Sequence, residues 1–271
     1  MTRKTTRNGN GRTRATLGAL AGMAVAAGTA VLVSATPATA DGTAVAADWP
    51  TATGDENVSE TIEVSGTFDG ELVRYGGFAS GDQGEGGDPM FQLEDGAVLK
   101  NVILGEDPGD GVHCSGTCTL ENVWWEDVGE DAATLRDNES GSDTMTIDGG
   151  GARGADDKVF QHNGPGNVVI KNFQVEDFGK LYRSCGNCST QYDRHVTIQD
   201  VTVTAPGKSL AGINSNLGDT ATISGVTIVG DDDKDIAVCE EYEGVTDGEP
   251  EKVSEGPSDA CRYTESDISY E

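Results

Sequence analysis

The stretch VVIKNFQVE, residues 168–176, decides the fold because related stretches recur along the chain. They are AVLKNVILG from residue 97, CTLENVWWE from 118, MTIDGGG from 145, VTIQDVTVT from 196 and ATISGVTIV from 221. Each is short, alternates apolar with polar residues and is bounded by Gly, Asn or Asp, as β-strands between turns are. No helical apolar period is long enough to predict a sizeable helix.

One apolar position recurs in these stretches at intervals of 21 to 28 residues: Leu99, Leu120, Ile147, Ile170, Ile198 and Ile223. A repeat of this length with one strand register per unit indicates a solenoid, and without helices it is a β-solenoid. A β-sandwich also uses many short strands, but it needs no recurrent phase. We therefore predict an all-β protein, a right-handed parallel β-helix (a single-stranded solenoid) with about 7–8 coils.

The first 40 residues have the pattern of a signal peptide. Five basic residues precede an apolar run that ends at the small-x-small sequence Ala38-Thr39-Ala40. An uncleaved membrane anchor is the alternative, but the run is rich in Ala, Gly and Thr and only weakly apolar. We expect a signal peptide over 1–40, a flexible segment over 41–59 and one domain over 60–271, in a protein secreted to the extracellular medium.

The chain is strongly acidic, with 47 Asp and Glu against 18 Lys and Arg and a net charge of −29. Without residues 1–40, 13 basic and 47 acidic residues leave a net charge of −34. Such a field repels nucleic acid and anionic membranes, so neither is expected as a partner. A salt-rich habitat, where ions screen the self-repulsion, would fit this composition. We expect a monomer.

The six cysteines are an even set, which favours disulfides in a secreted chain. Their order suggests the pairs Cys114–Cys118, Cys185–Cys188 and Cys239–Cys261. Zinc bound by the first four thiolates is the alternative. Export to an oxidising medium and the distance between the two pairs along the chain weigh against it.

Charged residues follow the apolar positions at a nearly constant interval of 10 to 13 residues: Asp110, Glu130, Asp131, Asp157, Lys158, Lys180 and Arg183. Hydrogen-bonded strands stack about 4.8 Å apart, so residues of equal phase form a column. The sequence therefore predicts a ladder on one side of the solenoid. It runs from carboxylates on two coils, through an Asp-Lys pair, to a Lys and an Arg on the next coil.

The acidic end of this ladder predicts a calcium site. Three carboxylates on adjacent coils repel one another until a cation neutralises them, and Ca²⁺ accepts several oxygens in irregular geometry. Beside such an ion and the basic residues Lys180 and Arg183, Lys158 is expected to have a lowered pKa, which Asp157 opposes. Lys158 is then a candidate general base for an alkaline reaction. A surface ion pair without chemical function is the alternative.

A metal site, a base and a cationic clamp suit a polyuronate substrate. The C5 proton of a uronate is alpha to a carboxylate, and it becomes removable when that carboxylate is neutralised. Loss of the C4 glycosidic oxygen completes a β-elimination. A hydrolase on the same scaffold and a non-catalytic polysaccharide-binding β-solenoid are the alternatives.

Three longer stretches, DGVHCSGTCTLENVWWEDVGEDAATL from 110, DDKVFQHNG from 156 and GKLYRSCGNC from 179, resemble the pectate lyases of polysaccharide lyase family 3. The stretch EGGDPMFQLEDGAVLKNVILG from 85 is similar to the N-terminal coils of these secreted, calcium-dependent β-helix enzymes. The resemblance covers about residues 60–262. It implies a catalytic domain over 60–271 that cleaves (1,4)-α-D-galacturonan to 4,5-unsaturated oligogalacturonides.

The resemblance also implies roles for single residues. The calcium site is expected to consist of Asp110, Glu130, Asp131 and Asp157. Lys158 is the expected Brønsted base, Lys180 and Arg183 bind galacturonate carboxylates, and Glu85 assists near the catalytic centre. Apart from the resemblance, Tyr182 and Asn187 flank Arg183 in the sequence and are expected for that reason to line the substrate groove. An apparent insertion at 137–143 departs from the family pattern and changes the expected rim of the groove.

Overall fold

The computed structural model describes residues 48–78, 86–136 and 141–271, and its regular structure is almost entirely β-strand. The strands are β1 (Gly54–Asn57), β2 (Ile62–Val64), β3 (Thr67–Gly76), β4 (Phe91–Leu93), β5 (Ala97–Leu104), β6 (Val112–Cys114), β7 (Cys118–Trp125), β8 (Ala133–Leu135), β9 (Thr144–His162), β10 (Gly166–Lys171), β11 (Gln174–Ser184), β12 (Arg194–Gln199), β13 (Thr202–Asn214), β14 (Thr220–Ser224), β15 (Val226–Val229), β16 (Ala237–Glu243), β17 (Glu251–Glu255), β18 (Cys261–Arg262) and β19 (Ile268–Tyr270). Two short 3-10 helices span Ser215–Leu217 and Glu265–Asp267.

All of these strands except β17, which is antiparallel to β16, form three parallel sheets. Sheet 1 contains the first parts of β3, β5, β7 and β9, followed by β10, β12, β14 and β18. Sheet 2 contains β1, the later parts of β3, β5 and β7, the middle of β9, the first parts of β11 and β13, and β15 and β19. Sheet 3 contains β2, β4, β6 and β8, the ends of β9, β11 and β13, and β16.

The predicted right-handed parallel β-helix is confirmed. Within the described residues, sheets 1 and 3 each contain eight strand segments, in agreement with the expected 7–8 coils. Leu99 pairs with Leu120, which pairs with Ile147, and the same register continues to Ile223. All six apolar positions are at most 1% exposed. Each such side chain stabilises the fold by about 1.5–3 kcal/mol through burial.

The turn from sheet 1 to sheet 2 explains the Asn, Asp and Gly residues of the repeat. Residues at this turn have φ between 52° and 76°: Asn101, Asn122, Gly149, Asn172, Asp200 and Gly225. Only Gly, Asn and Asp enter this left-handed region at low cost. The amide of Asn122 also donates to Oδ1 of Asn101 at 2.8 Å, which links neighbouring coils. The turn residues therefore fix where each coil bends.

All three suggested disulfides are present, and none of the six cysteines is free to bind zinc. The segment expected to be flexible, 41–59, includes β1, which pairs with β3, so the folded part begins before residue 60. The ring of Trp49 packs edge-on against Trp124, with centroids 5.1 Å apart. The expected signal peptide lies outside the described residues. Among the described helices, none has the length and apolar character needed to cross a membrane.

Candidate active site

The charged residues of the ladder lie together where the strand segments of sheet 3 begin. Lys158 is in register with Lys180, and Lys180 with Ser209 on the next coil. On the two preceding coils, Asp110 and Asp131 each lie two residues before a strand of the same sheet, β6 and β8. These residues therefore form one column across five successive coils.

Three of the predicted metal ligands form a buried acidic cluster, Asp110, Glu130 and Asp131. Each offers a carboxylate oxygen, and the three oxygens lie within 4.8 Å of one another. Asp110 and Asp131 are 3% exposed and Glu130 is 6% exposed. The ring nitrogen Nε2 of His113 lies 2.8 Å from Oδ2 of Asp110, and the Thr134 hydroxyl donates to Oδ2 of Asp131 at 3.3 Å. Both acids are thus held by neighbours on their own coils.

A glycine allows the two acidic coils to approach. Gly111, directly after Asp110, has φ +56°, and a Cβ atom there would lie 2.3 Å from the carbonyl oxygen of Ala132. A residue with a side chain would therefore push apart the coils that carry Asp110 and Asp131. The Gly in the DGVHC motif is required by the geometry of the cluster.

Lys158 lies against the acidic cluster. Its Nζ is 2.9 Å from Oδ2 of Asp157, 3.4 Å from Oε1 of Glu130 and 3.6 Å from Oδ1 of Asp131. The residue is only 8% exposed, so the alternative of a surface ion pair does not apply. Burial lowers the pKa of Lys158, but the charges of Asp131, Asp157 and Glu130 outweigh it and raise the pKa. Without a metal, Lys158 is the counter-ion of the cluster.

One lysine does not neutralise this much negative charge. Burial, followed by the charge of Asp131, raises the pKa of Glu130 to about 9. Oδ1 of Asp110 is buried and accepts no hydrogen bond from any residue that the structure describes. A hard divalent cation with oxygen ligands would satisfy both features, so the residues present fit calcium.

The raised pKa of Glu130 predicts how the metal-free protein responds to alkali. The folded state keeps a proton on Glu130 that the unfolded chain releases near pH 4.5, so stability falls as pH rises toward 9. Between pH 7 and 9 we expect the free energy of unfolding, measured by urea denaturation with a chelator present, to fall by about 1–3 kcal/mol from this group. The Glu130→Gln variant should lack that part of the slope. Equal slopes in the two proteins would contradict the assignment.

The basic end of the ladder contains a buried cation without an acidic partner. Arg183 is 7% exposed, and Nη1 donates to Oδ1 of Asn214 at 3.0 Å and to the Gly212 carbonyl at 3.3 Å. Its guanidinium carbon lies 4.1 Å from the centre of the Tyr242 ring. No carboxylate of the described residues forms an ion pair with it, and burial lowers its pKa. Such a group is suited to bind an anion.

Lys180 is half-buried, is in register with Lys158 on the preceding coil and lies three residues before Arg183 on β11. Burial lowers the pKa of Lys180. The charges of Arg183 and Lys208 lower it further, whereas those of Asp157 and Glu240 oppose these effects. The acidic cluster, Lys158 and the two basic residues therefore follow one another along the solenoid axis, as the sequence predicts.

The remaining predicted site residues that the structure describes lie outside the acidic cluster and the basic pair. Tyr182 is completely buried, and its hydroxyl is hydrogen-bonded to His162 and Ser184, so the expectation that it lines the substrate groove is corrected. The Asp157 carboxylate contacts Lys158 but lies outside the cluster of ligand oxygens. Asn187 is exposed in the loop closed by the Cys185–Cys188 disulfide. Glu85 and most of the insertion at 137–143 lie outside the described residues.

Sequence reasoning missed the residues that surround Arg183, namely Asn214, Tyr242 and Glu240. In the structure Arg183 is in register with Gly212, and Gly212 is in register with Glu240 on β16. The recognisable repeat ends at residue 229, however, so the sequence offered no repeat position from which residues of β16 could be aligned with the earlier coils.

Comparisons with known proteins identify the family of the chain. A family model described as "Pectate lyase" matches residues 46–249. Pectate lyase H of Emericella nidulans is 53% identical over 222 residues, which cover 80% of this chain and 83% of that protein. Probable pectate lyase E of Neosartorya fischeri is 55% identical over 221 residues, 80% of this chain and 84% of that protein.

Solved structures give the same result. The catalytic domain of pectate lyase PelI from Erwinia chrysanthemi superposes with a TM-score of 0.69 at 37% identity, covering 80% of this chain and 99% of that domain. PelI in complex with tetragalacturonic acid has a TM-score of 0.67 at 37% identity, covering 79% of this chain and 70% of that protein. With its β-helix, its charged ladder and these relatives, the chain belongs to the pectate lyase family of enzymes.

Proposed function

We propose that the protein is a secreted enzyme that cleaves polygalacturonate by calcium-dependent β-elimination, with Lys158 as the Brønsted base. The observation that carries this proposal is the position of the Lys158 amine. It lies within 3.6 Å of carboxylates of the acidic cluster on one side and is in register with Lys180 on the other. A base between a cation site and an anion-binding site is the arrangement that removal of a proton alpha to a carboxylate requires.

Calcium is proposed to bind Asp110, Glu130 and Asp131, whose oxygens already lie within 4.8 Å of one another. When bound, it would neutralise the cluster and polarise the carboxylate of the reacting galacturonate. Asp157 is a further candidate from the sequence resemblance, although its carboxylate faces Lys158.

Lys158 must lose its proton before it can act. In the metal-free protein the neighbouring carboxylates raise its pKa against the opposite effect of burial. Once their charge is neutralised, burial and the adjacent cations dominate and lower the pKa of Lys158. We therefore expect activity to increase with pH into the alkaline range, as the neutral amine becomes populated.

The proposed reaction transfers one proton to Lys158 and moves two electron pairs. The neutral amine of Lys158 takes the C5 proton, and the C5–H electrons form the C4=C5 double bond. The bond between C4 and the glycosidic oxygen breaks, and the departing oxygen takes up a proton from solvent or an acid. The products are a 4,5-unsaturated oligogalacturonide and a new reducing-end chain, and no water is consumed.

Arg183 and Lys180 are proposed to bind galacturonate carboxylates and to stabilise the negative charge that develops when the C5 proton leaves. The supporting observation is that Arg183 is a buried cation for which the described residues provide no ion pair. Asn187, exposed in the adjacent disulfide loop, is proposed at the rim of the groove. Glu85 is proposed near the catalytic centre from the sequence resemblance.

One assay tests the reaction type. Polygalacturonate is incubated with the protein, with calcium or with a chelator, while ultraviolet absorbance and reducing ends are followed together. The proposal expects both signals to rise in parallel with calcium and neither to rise with chelator. Reducing ends without absorbance would indicate hydrolysis, and substrate binding without either signal would indicate a binding protein. N-terminal sequencing of the exported protein, with Asp41 as the expected first residue, tests secretion.

A further inference from the structure

The last strand of sheet 3 belongs to a hairpin that differs from the rest of the fold. β16 continues the parallel sheet through its pairing with β13, whereas β17 pairs with β16 in antiparallel orientation. Tyr242 lies on β16, opposite Asn214 on one side and Lys252 on the other. Its ring provides the surface against which the Arg183 guanidinium lies, at 4.1 Å.

Gly212 makes this contact possible. It occupies the position between Arg183 and Glu240 in the stack, and a Cβ atom there would lie 2.9 Å from Cδ of Arg183. The same Cβ would lie 3.4 Å from Cε2 of Tyr242. Because position 212 has no side chain, the aliphatic part of Arg183 crosses that coil and its guanidinium reaches Tyr242.

The hydrogen bonds of Arg183 orient one edge of its guanidinium. Both bonds to the described residues, to Asn214 and to the Gly212 carbonyl, use Nη1. The Nε and Nη2 groups, which form the side-on fork of a guanidinium, make no hydrogen bond within the part of the chain that the structure describes. This fork matches the two oxygens of a carboxylate.

Tyr242 is itself held in place by the hairpin. Its hydroxyl donates to Oε2 of Glu240 at 2.9 Å, and Oε1 of Glu240 lies 2.7 Å from Nζ of Lys252 on β17. Burial, together with Glu240, raises the pKa of Tyr242 to about 12. The ring therefore stays a neutral phenol in moderately alkaline solution and its face remains attractive to a cation.

We infer that Tyr242 is a positioning residue, which holds the Nε–Nη2 edge of Arg183 ready for a galacturonate carboxylate and so contributes to specificity for the acidic sugar. The inference rests on the proposed role of Arg183. Tyr242 acts through the face of its ring, with Gly212 providing the space for the contact.

The test replaces the ring and then asks whether the effect depends on Arg183. We expect Tyr242→Leu to lower kcat/KM for polygalacturonate about tenfold, mainly through a higher KM, because a buried cation–π contact is lost. Tyr242→Phe keeps the ring face and should stay within about threefold of the unchanged protein. In an Arg183→Ala background, Tyr242→Leu should have no further effect, since positioning requires the guanidinium.

A second variant keeps both partners. Gly212→Ala leaves Arg183 and Tyr242 in the chain but displaces the arginine, so it should also raise KM several-fold while thermal unfolding stays close to that of the unchanged protein. If Tyr242→Leu does not fold, Gly212→Ala and Tyr242→Phe still decide the question.

Three results would overturn the inference. They are an equal loss for Tyr242→Phe and Tyr242→Leu, an equal effect of Tyr242→Leu with and without Arg183, and an unchanged KM in Gly212→Ala. If Arg183→Ala itself left kcat/KM unchanged, the proposed role of Arg183 would fail, which is a separate outcome.

Discussion

Lys158→Ala is expected to lower kcat on polygalacturonate by about 10³-fold at alkaline pH with saturating calcium, because the reaction loses its general base. The proposed role rests on the position of Lys158, which is in register with Lys180 and has its amine against the acidic cluster. The initial rate of ultraviolet absorbance from the unsaturated product is the measurement. Substantial residual lyase activity would move the base to Lys180 or Arg183.

Lys158→Arg is the matched control. It keeps a positive charge beside Asp157, Glu130 and Asp131, but a guanidinium does not lose its proton in the working pH range. We expect it to be as inactive as the alanine variant. If Lys158→Arg retained more than about a tenth of the activity, Lys158 would be an electrostatic group rather than the base.

The same two variants separate chemistry from stability. In the metal-free protein Lys158 is the counter-ion of buried carboxylates, so its removal should destabilise the fold by about 3 kcal/mol. Lys158→Arg should lose much less stability. Calcium should restore Lys158→Ala, because the ion replaces the missing positive charge. Urea denaturation with and without calcium measures both effects.

The sequence predicted the architecture because one apolar position recurs in a fixed phase. Leu99, Leu120 and Ile147 are vertical neighbours in the structure, as their spacing indicated. The same count located the charged ladder, since a residue at constant distance from a stacked position must itself stack. Parallel register turns a spacing along the chain into a distance in space.

The count loses accuracy where coils differ in length. Lys158 follows Ile147 by 11 residues but Lys180 follows Ile170 by 10, because the register between β9 and β11 shifts between Phe178 and Lys180. Beyond such an irregularity, spacing alone does not determine which side chains point inward. Tyr182 was expected in the groove because it adjoins Arg183, but it pairs with Phe160 in the core.

The charge state of the site was also beyond sequence reasoning. Lys158 was expected to have a lowered pKa beside a bound ion. Without the ion its pKa is raised, because the charges of Asp131, Asp157 and Glu130, with oxygens 2.9 to 3.6 Å from its Nζ, outweigh burial, which lowers it. If Lys158 is the base, its pKa depends on whether a cation occupies the cluster, and calcium binding is then expected to set the pH range of activity.

Asp131→Asn is expected to weaken calcium binding by about 100-fold or more and to abolish turnover at low calcium concentrations. Asn has the shape of Asp but removes one of three charges from a buried cluster, and calcium affinity depends on the number of charged ligands. Titration calorimetry gives the affinity. The rise in Tm with added calcium gives an independent measure, because a ligand that binds only the folded state stabilises it.

Two neighbouring aspartates decide whether this loss belongs to the cluster or to the general acidity of the chain. Asp156→Asn removes the same charge from an exposed side chain and should change calcium affinity by less than about threefold. Asp157→Asn should also have a small effect, because its carboxylate faces Lys158 and lies outside the cluster of ligand oxygens. A 100-fold loss in Asp157→Asn would make Asp157 a ligand, as the sequence resemblance implies. An equal, small loss in all three variants would show that calcium binds elsewhere. A site built from Asp110, Glu130 and Asp131 depends on the buried carboxylate of Asp131 much more than on the exposed carboxylates near it.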